Sequence, residues 1–402
     1  MFNLSKFISK YVTKRPESMF LGDIERNRET LTNKIEGKSV LVIGGAGSIG
    51  SSFIRAILPF KPVTLVVVDT NENGLAELTR DLRSTKGMYV PEDYIPYPMD
   101  FSAPVFEKMF RAREGFDIVA NFSAHKHVRS EKDIFSVEAL LQNNVLHAKL
   151  LLDLLGEFPP EEYFCVSTDK AANPVNIMGA SKRIMEDVIF SYSDKFPVKT
   201  ARFANVAFSN GSLPAGFIAR MQKAQPLSAP SDVTRYFVSP EESGQICMLS
   251  CMLGENREIF FPKLREAQMM SFDEIATNLL ESNGYEVLKC ASDEEAIEKA
   301  EDLKNGSKKY PVHYSVSDTS GEKAYEEFFT DEETSDMERF ISLGVVTGKT
   351  IPDKEKVRVL FEELNAAFDR GSVNKEDIVF IMKRYLPNFE HIEKGKSLDS
   401  KM

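Results

Sequence analysis

The first half of the chain alternates short apolar runs with longer amphipathic stretches. The apolar runs predict strands at 39–43, 64–68, 94–99, 117–122, 163–166 and 199–205. The stretches between them repeat apolar residues at helical spacing and predict one helix directly after residue 50 and others at 73–83, 104–113, 135–155 and 178–196. Regular alternation of strands and helices indicates an α/β fold of the Rossmann type, with a doubly wound parallel sheet.

Beyond residue 205 the pattern becomes irregular, and this change predicts four regions. Residues 1–36 form a polar helical arm that docks on a partner subunit or touches a membrane, and 37–208 form the Rossmann domain. Residues 209–345 form a smaller substrate-binding region that partly returns to the Rossmann core. Residues 346–402 form a helical extension with a charged tail.

The C-terminal part of the chain is rich in charged residues. Its last helix is predicted to begin at an Asn374 cap, with Asp377 at the third position. The acidic run at 318–338 is expected to be a solvated face, and the tail after Pro387 is expected to be disordered.

Composition narrows the class of protein. Of the 402 residues, 61 are acidic and 50 are basic, and the net charge of −11 argues against a nucleic-acid partner. No apolar run reaches the roughly 18 residues that a membrane-spanning helix requires. The four cysteines have no metal-ligand spacing. We therefore expect a cytoplasmic protein with reduced cysteines and no integral membrane segment.

A glycine-rich turn joins the first predicted strand to the first helix of the sheet. Its three glycines suit a tight turn, a close approach of backbone to pyrophosphate, and close packing of helix on strand. The helix N-terminus then offers free N–H groups and the positive end of its dipole to phosphates. The predicted cofactor contacts in this turn are Gly44, Gly47, Ser48, Ile49 and Gly50.

Two aspartates end the next two strands. Asp69 stands where a carboxylate accepts hydrogen bonds from a ribose diol and repels a 2′-phosphate, so it favours NAD over NADP. The alternative is that Asp69 caps the following helix. Asp100 either meets the adenine amino group or closes a plain turn.

Small and basic residues follow the fourth strand. Ser123 and Ala124 would let a cofactor ribose lie against the backbone. Lys126 is expected near the diphosphate or in solvent, and His127 in the substrate site. The histidines beside Lys126 also suggest a metal, but no further Cys or His cluster completes a coordination shell, and no metal is predicted.

Thr168, Asp169 and Lys170 directly follow the strand at 163–166. In open parallel sheets the carboxyl ends of strands are where ligands bind, although a polar turn is the simpler interpretation of these residues alone. Lys182 follows Met178 by four residues, so both lie on one face of the next helix.

Several residues after the sixth strand are candidate substrate contacts. Arginines can bind a diphosphate through two parallel hydrogen bonds, and Arg235 is the strongest candidate because an arginine between apolar neighbours needs a partner. The substrate-binding residues predicted in this part of the chain are Arg202, Asn205, Ser212 and Arg235.

Five segments, in the same order along the chain, resemble motifs of the extended short-chain dehydrogenase/reductase superfamily. The resemblance spans about residues 15–263. The glycine turn resembles its nucleotide-binding turn, with Ile43 where a threonine is usual. Segments 125–128, 167–174, 202–206 and 234–237 look like those of the nucleotide-sugar 4,6-dehydratases of bacterial polysaccharide and flagellin-glycan synthesis. Residues 317–329 resemble a C-terminal extension of some members. Met178 replaces the usual tyrosine, as it does in some dehydratases of this branch.

The resemblance implies NAD-dependent dehydration of a nucleotide-linked N-acetylhexosamine, most often UDP-N-acetylglucosamine, in an enzyme that pairs with copies of itself. Lys170 would be the C5 base, Asp169 the C6 acid, and Thr168 the partner of the C4 oxygen, while Lys182 holds the nicotinamide ribose. Adjacent opposite charges favour both charged forms, so desolvation or a proton transfer must change one of them. A C4-epimerase and a non-catalytic NAD-binding scaffold are the alternatives; an epimerase would need a tyrosine at position 178.

Overall fold

The computed structural model describes residues 2–127, 131–317, 326–370 and 372–392. A sheet of nine strands lies at its centre, and seven further strands form small pairs or triplets. In chain order the strands are β1 Ser39–Ile43, β2 Thr64–Asp69, β3 Asp93–Pro98, β4 Ile118–Asn121, β5 Glu162–Val166, β6 Val198–Ala201, β7 Asn205–Val206, β8 Leu227–Pro230, β9 Thr234–Arg235, β10 Phe237–Val238, β11 Glu258–Pro262, β12 Met270–Ser271, β13 Glu286–Cys290, β14 Lys309–Ser315, β15 Thr334–Asp336 and β16 Leu343–Thr347.

The central sheet has the order β15-β16-β11-β6-β5-β4-β1-β2-β3. The seven strands from β3 to β11 run parallel, and β16 and β15 add an antiparallel edge. The strand order reverses beside β1, which pairs with β2 on one side and β4 on the other. This arrangement confirms the predicted doubly wound α/β fold.

Helices cover both faces of the sheet, and a separate core cluster lies on each face. One face carries α6 to α9 with the C-terminal α15 and α16, and the other carries α3, α4, α5 and α11. The helices are α1 Leu4–Phe7, α2 Leu21–Arg26, α3 Arg28–Ile35, α4 Ser48–Ile57, α5 Glu72–Ser84, α6 Pro104–Ala112, α7 Ile134–Leu141, α8 His147–Glu157, α9 Ile177–Phe190, α10 Leu213–Gln222, α11 Pro240–Leu253, α12 Phe272–Ser282, α13 Asp293–Lys299, α14 Glu301–Lys304, α15 Lys354–Phe368 and α16 Lys375–Tyr385.

The helix predicted at 135–155 is interrupted. A π-helical turn, Gln142–Leu146, separates α7 from α8. Such turns insert an extra residue into the helix and often occur at functional sites. Here the turn presents Asn143 and Asn144 to the loop that follows β4.

A smaller unit has its own core between the sheet β13-β14-β8 and helices α10 and α12. The first turns of the N-terminal arm join this core through the buried residues Phe7, Ile8 and Val12. The later part packs on the main sheet, where the fully buried Asp23 accepts the N–H groups of Ile341 and Ser342. The arm therefore docks on its own chain.

The C-terminal helices also pack on the Rossmann core. Buried apolar residues of α15 and α16 join the cluster that contains α9, and Asn374 with Asp377 forms the predicted reciprocal cap of α16. Residues 318–325, in the predicted solvated run, and 393–402, in the predicted disordered tail, lie outside the described residues. The solvated interpretation is wrong for Glu326 and Glu333, whose side chains are only 4% and 6% exposed.

Among the described residues, no helix combines the length and apolar character needed to cross a bilayer.

Candidate active site

The glycine turn brings three backbone segments into contact at the carboxyl end of β1. Gly44 has a φ of +75°, and a Cβ there would lie 2.7 Å from the backbone nitrogen of Ser123. A Cβ on Gly50 would clash with the carbonyl oxygen of Gly44. Gly47 is the N-cap of α4, so Ser48 and Ile49 form the first turn of that helix. Glycine at these two positions therefore lets the turn pack directly against the loop after β4 and against the start of α4, the close packing that a phosphate-binding turn uses.

The two strand-end aspartates have different surroundings. Asp69 lies beside the glycine turn, where Oδ2 accepts the N–H of Ala46 and Oδ1 that of Asn71, both at 2.9 Å. Asp100 is exposed and accepts both the N–H and the hydroxyl of Ser102 at 2.8 Å. This bonding is that of a plain turn; the adenine contact of Asp100 stays a prediction.

The loop after β4 is hydrogen-bonded to the π-helical turn. Ser123 Oγ donates to Asn143 Oδ1 at 3.2 Å, and Asn144 exchanges two hydrogen bonds with the backbone of His125. Asn144 also donates to Ser181 Oγ of α9 at 3.1 Å. Asn143 and Asn144 therefore fix the predicted cofactor loop to the helix that carries Met178.

Three other predicted residues of this loop differ in their exposure. Ala124 is partly buried, Lys126 is exposed, and the ring of exposed His127 lies against Gly211. Val128, which completes the motif seen in the sequence, lies outside the described residues. Asn210 donates its N–H to Ser48 Oγ at 2.9 Å, which links the 209–212 loop to the glycine turn.

Thr168, Asp169 and Lys170 form a bonded cluster on a short 3₁₀ turn at the carboxyl end of β5. The Thr168 hydroxyl donates to Asp169 Oδ1 at 2.7 Å. Lys170 Nζ lies 3.3 and 3.2 Å from the two Asp169 oxygens. The Asp169 side chain is 5% exposed and that of Lys170 is 30% exposed, so the ion pair is sheltered but open at the lysine.

Helix α9 begins directly against this turn, since a Cβ on Gly179 would lie 2.6 Å from the Lys170 carbonyl oxygen. Its N-terminus is capped by Asn176, and the Glu131 carboxylate accepts the N–H groups of Ile177 and Met178. Met178 is 3% exposed and belongs to the core cluster.

Lys182 is buried beside the carboxyl end of β5. Its Nζ donates to the Val166 carbonyl at 3.0 Å. Burial lowers the pKa of Lys182, although interactions with Cys165 and Glu186 act to raise it. The Lys182 amino group therefore lies close to the strand end that carries Thr168, Asp169 and Lys170. Its contact with a nicotinamide ribose stays a prediction.

Arg202 occupies a different position from the one expected. Its side chain is fully buried and bonds both oxygens of Glu186, at 2.8 and 2.6 Å. Nη1 also donates to the Phe328 carbonyl at 3.1 Å and to Glu333 at 2.7 Å. Because all three guanidinium nitrogens are bonded within the protein, this placement contradicts the predicted diphosphate contact.

The segment anchored by Arg202 brings a further carboxyl group into the site. Asn205 Nδ2 donates to Glu326 Oε1 at 2.8 Å, and the Tyr236 N–H donates to Oε2 at 2.9 Å. Arg235 Nε lies 3.9 Å from Oε1. Burial and the charge of Asp169 raise the pKa of Glu326 to about 8, although Lys170, the Tyr236 N–H and Arg235 oppose the shift.

Sequence reasoning missed Glu326, Glu131, Asn143 and Asn144. The adjacent asparagines were detectable, because they interrupt an otherwise apolar helical run. Of the predicted substrate residues, Asn205 and Arg235 face Glu326, whereas Ser212 is the N-cap of α10. Within the described ranges, no group of three His, Cys, Asp or Glu side chains is arranged to hold a metal.

A profile of the family described as polysaccharide biosynthesis protein matches residues 40–346. The chain belongs to this family. It is 28% identical over 363 residues to an uncharacterised membrane protein of Methanocaldococcus jannaschii, a match that covers 88% of this chain and 98% of that protein. It is 29% identical over 260 residues to the probable polysaccharide biosynthesis protein EpsC of Bacillus subtilis, covering 63% of this chain but only 42% of that protein.

Relatives with a named reaction fall into two groups. A UDP-N-acetylglucosamine 4,6-dehydratase (inverting) of Campylobacter jejuni is 26% identical over 237 residues, which cover 57% of this chain and 67% of that enzyme. UDP-glucose 4-epimerases of Rickettsia species are 25–26% identical over similar lengths. These names leave dehydration and epimerisation as two possible reactions.

Solved structures share the fold at low identity. Pen from Bacillus thuringiensis aligns with a TM-score of 0.63 at 18% identity, covering 82% of this chain and 98% of that one. A dTDP-glucose 4,6-dehydratase double mutant from Streptomyces venezuelae, solved with NAD bound, aligns with a TM-score of 0.52 at 20% identity, covering 69% and 88%. At these identities the likeness establishes the Rossmann-type fold alone.

Proposed function

We propose that this protein dehydrates a nucleotide-linked N-acetylhexosamine, with UDP-N-acetylglucosamine as the first candidate, to the 4-keto-6-deoxy sugar for bacterial surface-glycan synthesis. The observation that carries the proposal is the bonded cluster of Thr168, Asp169 and Lys170 at the carboxyl end of β5. The family and the reactions named for its relatives support a nucleotide-sugar enzyme.

The glycine turn fits NAD because a Cβ at Gly44 would clash with the backbone of the loop after β4 and one at Gly50 with the Gly44 carbonyl, so glycine is needed for this close turn ahead of the N-terminus of α4. Asp69 would bind the adenosine ribose, while Lys182 and the backbone of Ser123 and Ala124 would border the nicotinamide ribose. When bound there, NAD would supply the hydride acceptor and donor that the redox-neutral reaction at C4 and C6 needs.

The protein must supply four proton transfers around that chemistry. Thr168 bonds the C4 oxygen and passes its proton to Asp169, which already accepts the Thr168 hydroxyl at 2.7 Å. The resulting 4-keto group acidifies C5, and neutral Lys170 removes the C5 proton. Asp169 then protonates the C6 oxygen, which leaves as water, and Lys170 returns its proton to C5. Each such group typically contributes roughly 10²–10⁴-fold to the rate.

C4 epimerisation is the second candidate, and the epimerases among the relatives favour it. Such an enzyme needs a proton carrier at the C4 oxygen but no acid for C6. The thioether of Met178 cannot carry a proton at neutral pH, whereas the Asp169–Lys170 pair supplies the acid and base that elimination needs. These two features favour dehydration.

A panel of nucleotide sugars tests the proposal. We expect mass spectrometry to detect loss of one water from UDP-N-acetylglucosamine or a related nucleotide-linked N-acetylhexosamine. An isomer of unchanged mass would establish epimerisation instead, and a protein that binds NAD but converts no member of the panel would be a scaffold.

Replacement of Met178 by leucine should leave dehydration within a few-fold of wild type. The side chain is buried in the core, and a volume-conserving exchange there usually costs less than about 1.5 kcal/mol. Met382→Leu, at a buried site on α16, is the matched control. A folded Met178→Leu protein that binds substrate without turnover, beside an active Met382→Leu, would show that the thioether has a chemical role.

A further inference from the structure

The C-terminal helices reach the start of α9, the helix that carries Lys182. Helices α15 and α16 lie beyond residues 40–346, so the family profile covers neither of them. Their apolar faces pack into the core cluster that contains α9. Past the end of α16, the Ile392 N–H donates to the Val175 carbonyl at 3.0 Å, one residue before the Asn176 cap of α9. The C-terminal part of the chain therefore bonds the loop that leads into this helix.

Glu131 links α16 to the first turn of α9. Its carboxylate accepts the N–H groups of Ile177 at 3.1 Å and Met178 at 2.9 Å. Its backbone carbonyl accepts a hydrogen bond at 2.8 Å from Nζ of Lys375, the first residue of α16. The Glu131 side chain is 8% exposed, and Nε2 of His391 lies 3.9 Å from its carboxylate. One residue thus bonds α16 through its backbone and the start of α9 through its side chain.

The first turn of α9 packs in turn against Thr168, Asp169 and Lys170, called here the β5 turn. A Cβ on Gly179 would lie 2.6 Å from the Lys170 carbonyl oxygen, so the backbones of helix and turn are in direct contact. Close-packed interiors transmit strain, because neighbouring atoms have no space in which to absorb a shift. A displacement of the first turn of α9 should therefore displace the backbone of Lys170.

We propose that Glu131 is a positioning residue for the β5 turn, and that α16 holds Glu131 in place through Lys375. Glu131 acts through α9 and takes no part in the proton transfers. The inference rests on the proposed dehydration, since the groups that it aligns are the acid and base of that reaction. It gives the C-terminal helices a role in turnover as well as in folding.

Glu131→Gln tests the positioning role. The variant keeps one acceptor oxygen but turns an amide NH₂ group toward the backbone N–H groups of α9. Misplacement of reacting groups by about 1 Å can lower a rate roughly 10²-fold, so we expect kcat for dehydration to fall by about that factor. The KM for the nucleotide sugar and the binding of NAD should stay within a few-fold of wild type, as steady-state kinetics and NAD titration would measure.

Glu242→Gln is the matched control. Glu242 is also a buried carboxylate that accepts two backbone N–H groups, those of Ser239 and Met19, at the start of α11. Because it also pairs with Arg15, its replacement should cost at least as much stability, yet leave kcat of the folded protein unchanged. If Glu131→Gln likewise lowered only stability, Glu131 would be a structural cap, and the inference would be wrong.

Lys375→Met tests the link to α16, with Lys383→Met at an exposed position of the same helix as its control. We expect Lys375→Met to lower kcat and Lys383→Met to leave it unchanged. Combining Lys375→Met with Glu131→Gln should slow turnover no further than Glu131→Gln alone, because both act through one contact. Fully additive effects would overturn the part given to α16.

Lys375→Met also covers the case in which Glu131→Gln does not fold. It leaves the Glu131 carboxylate intact and removes only the bond to the Glu131 carbonyl. Wild-type kcat in Lys375→Met would then overturn the inference, and a reduced kcat at unchanged KM would support it.

Amide hydrogen exchange gives a readout that needs no turnover. The N–H groups of residues 171 and 172 bond the carbonyls of residues 168 and 169 at 3.1 and 3.2 Å, so their exchange reports how firmly the β5 turn is held. We expect faster exchange at these two amides in Glu131→Gln but not in the Glu242 control. Faster exchange confined to the first turn of α9 would overturn the inference. A wild type that eliminates water from no nucleotide sugar would remove the proposed function, while the exchange pattern would still decide whether Glu131 positions the turn.

Discussion

Lys170→Ala should abolish dehydration while NADH still forms from the bound nucleotide sugar. Oxidation at C4 precedes the step that needs the C5 base, so only the later step loses its proton acceptor. In D₂O, incorporation of deuterium at C5 should fall by roughly 10²–10⁴-fold, the usual contribution of one acid–base group. Product analysis by nuclear magnetic resonance, with NADH absorbance recorded in parallel, separates the two steps.

Lys149→Ala is the control for this experiment. Lys149 forms an exposed ion pair with Asp153 on α8, so its loss should alter neither step. If Lys170→Ala exchanged C5 at the wild-type rate, another group would be the base, and the assignment of Lys170 would be wrong.

Arg202→Met should destabilise the fold by roughly 3–5 kcal/mol, the usual cost of removing one partner of a buried ion pair. The substitution removes the closer cation of the fully buried Glu186, whose other ion pair, to Arg183, is 3.9 Å long, and it also removes the bonds from Arg202 to Glu333. Burial opposes ionisation of Glu333, but Arg202 and Lys349 outweigh it and lower the pKa of Glu333 to about 2. Equilibrium unfolding in denaturant measures the effect.

Arg358→Met is the matched comparison, because Arg358 pairs with Glu355 and Glu362 on the exposed face of α15. Exposed ion pairs contribute little, so this substitution should change the free energy of unfolding only slightly. Equal effects of the two substitutions would contradict the structural role given to Arg202.

The sequence pattern was sufficient for the fold because the relevant signals are local. Apolar runs of strand length, helical spacing between them and the glycine turn each depend on neighbouring residues, and a doubly wound parallel sheet then follows from the alternation. The cap at Asn374 and Asp377 was predictable for the same reason.

The candidate site was only partly predictable because its remaining contacts are long-range. Asn205 and Glu326 are 121 residues apart in the chain, and Arg202 and Glu333 are 131 apart. Nothing local distinguishes Glu326 from the other acids of its run, so charge density alone predicted a solvated face. Arg202 was expected to bind a diphosphate, and no local pattern indicates that its partners are carboxylates of the protein itself.

The path of hydrogen from C4 tests the proposed function most directly. The candidate substrate is prepared with deuterium at C4 and incubated with the protein in ordinary water, and the product is examined by mass spectrometry and nuclear magnetic resonance. The proposed dehydration predicts loss of one water and recovery of the label at C6. A product of unchanged mass, inverted at C4 and with the label still at C4, would contradict it and establish an epimerase.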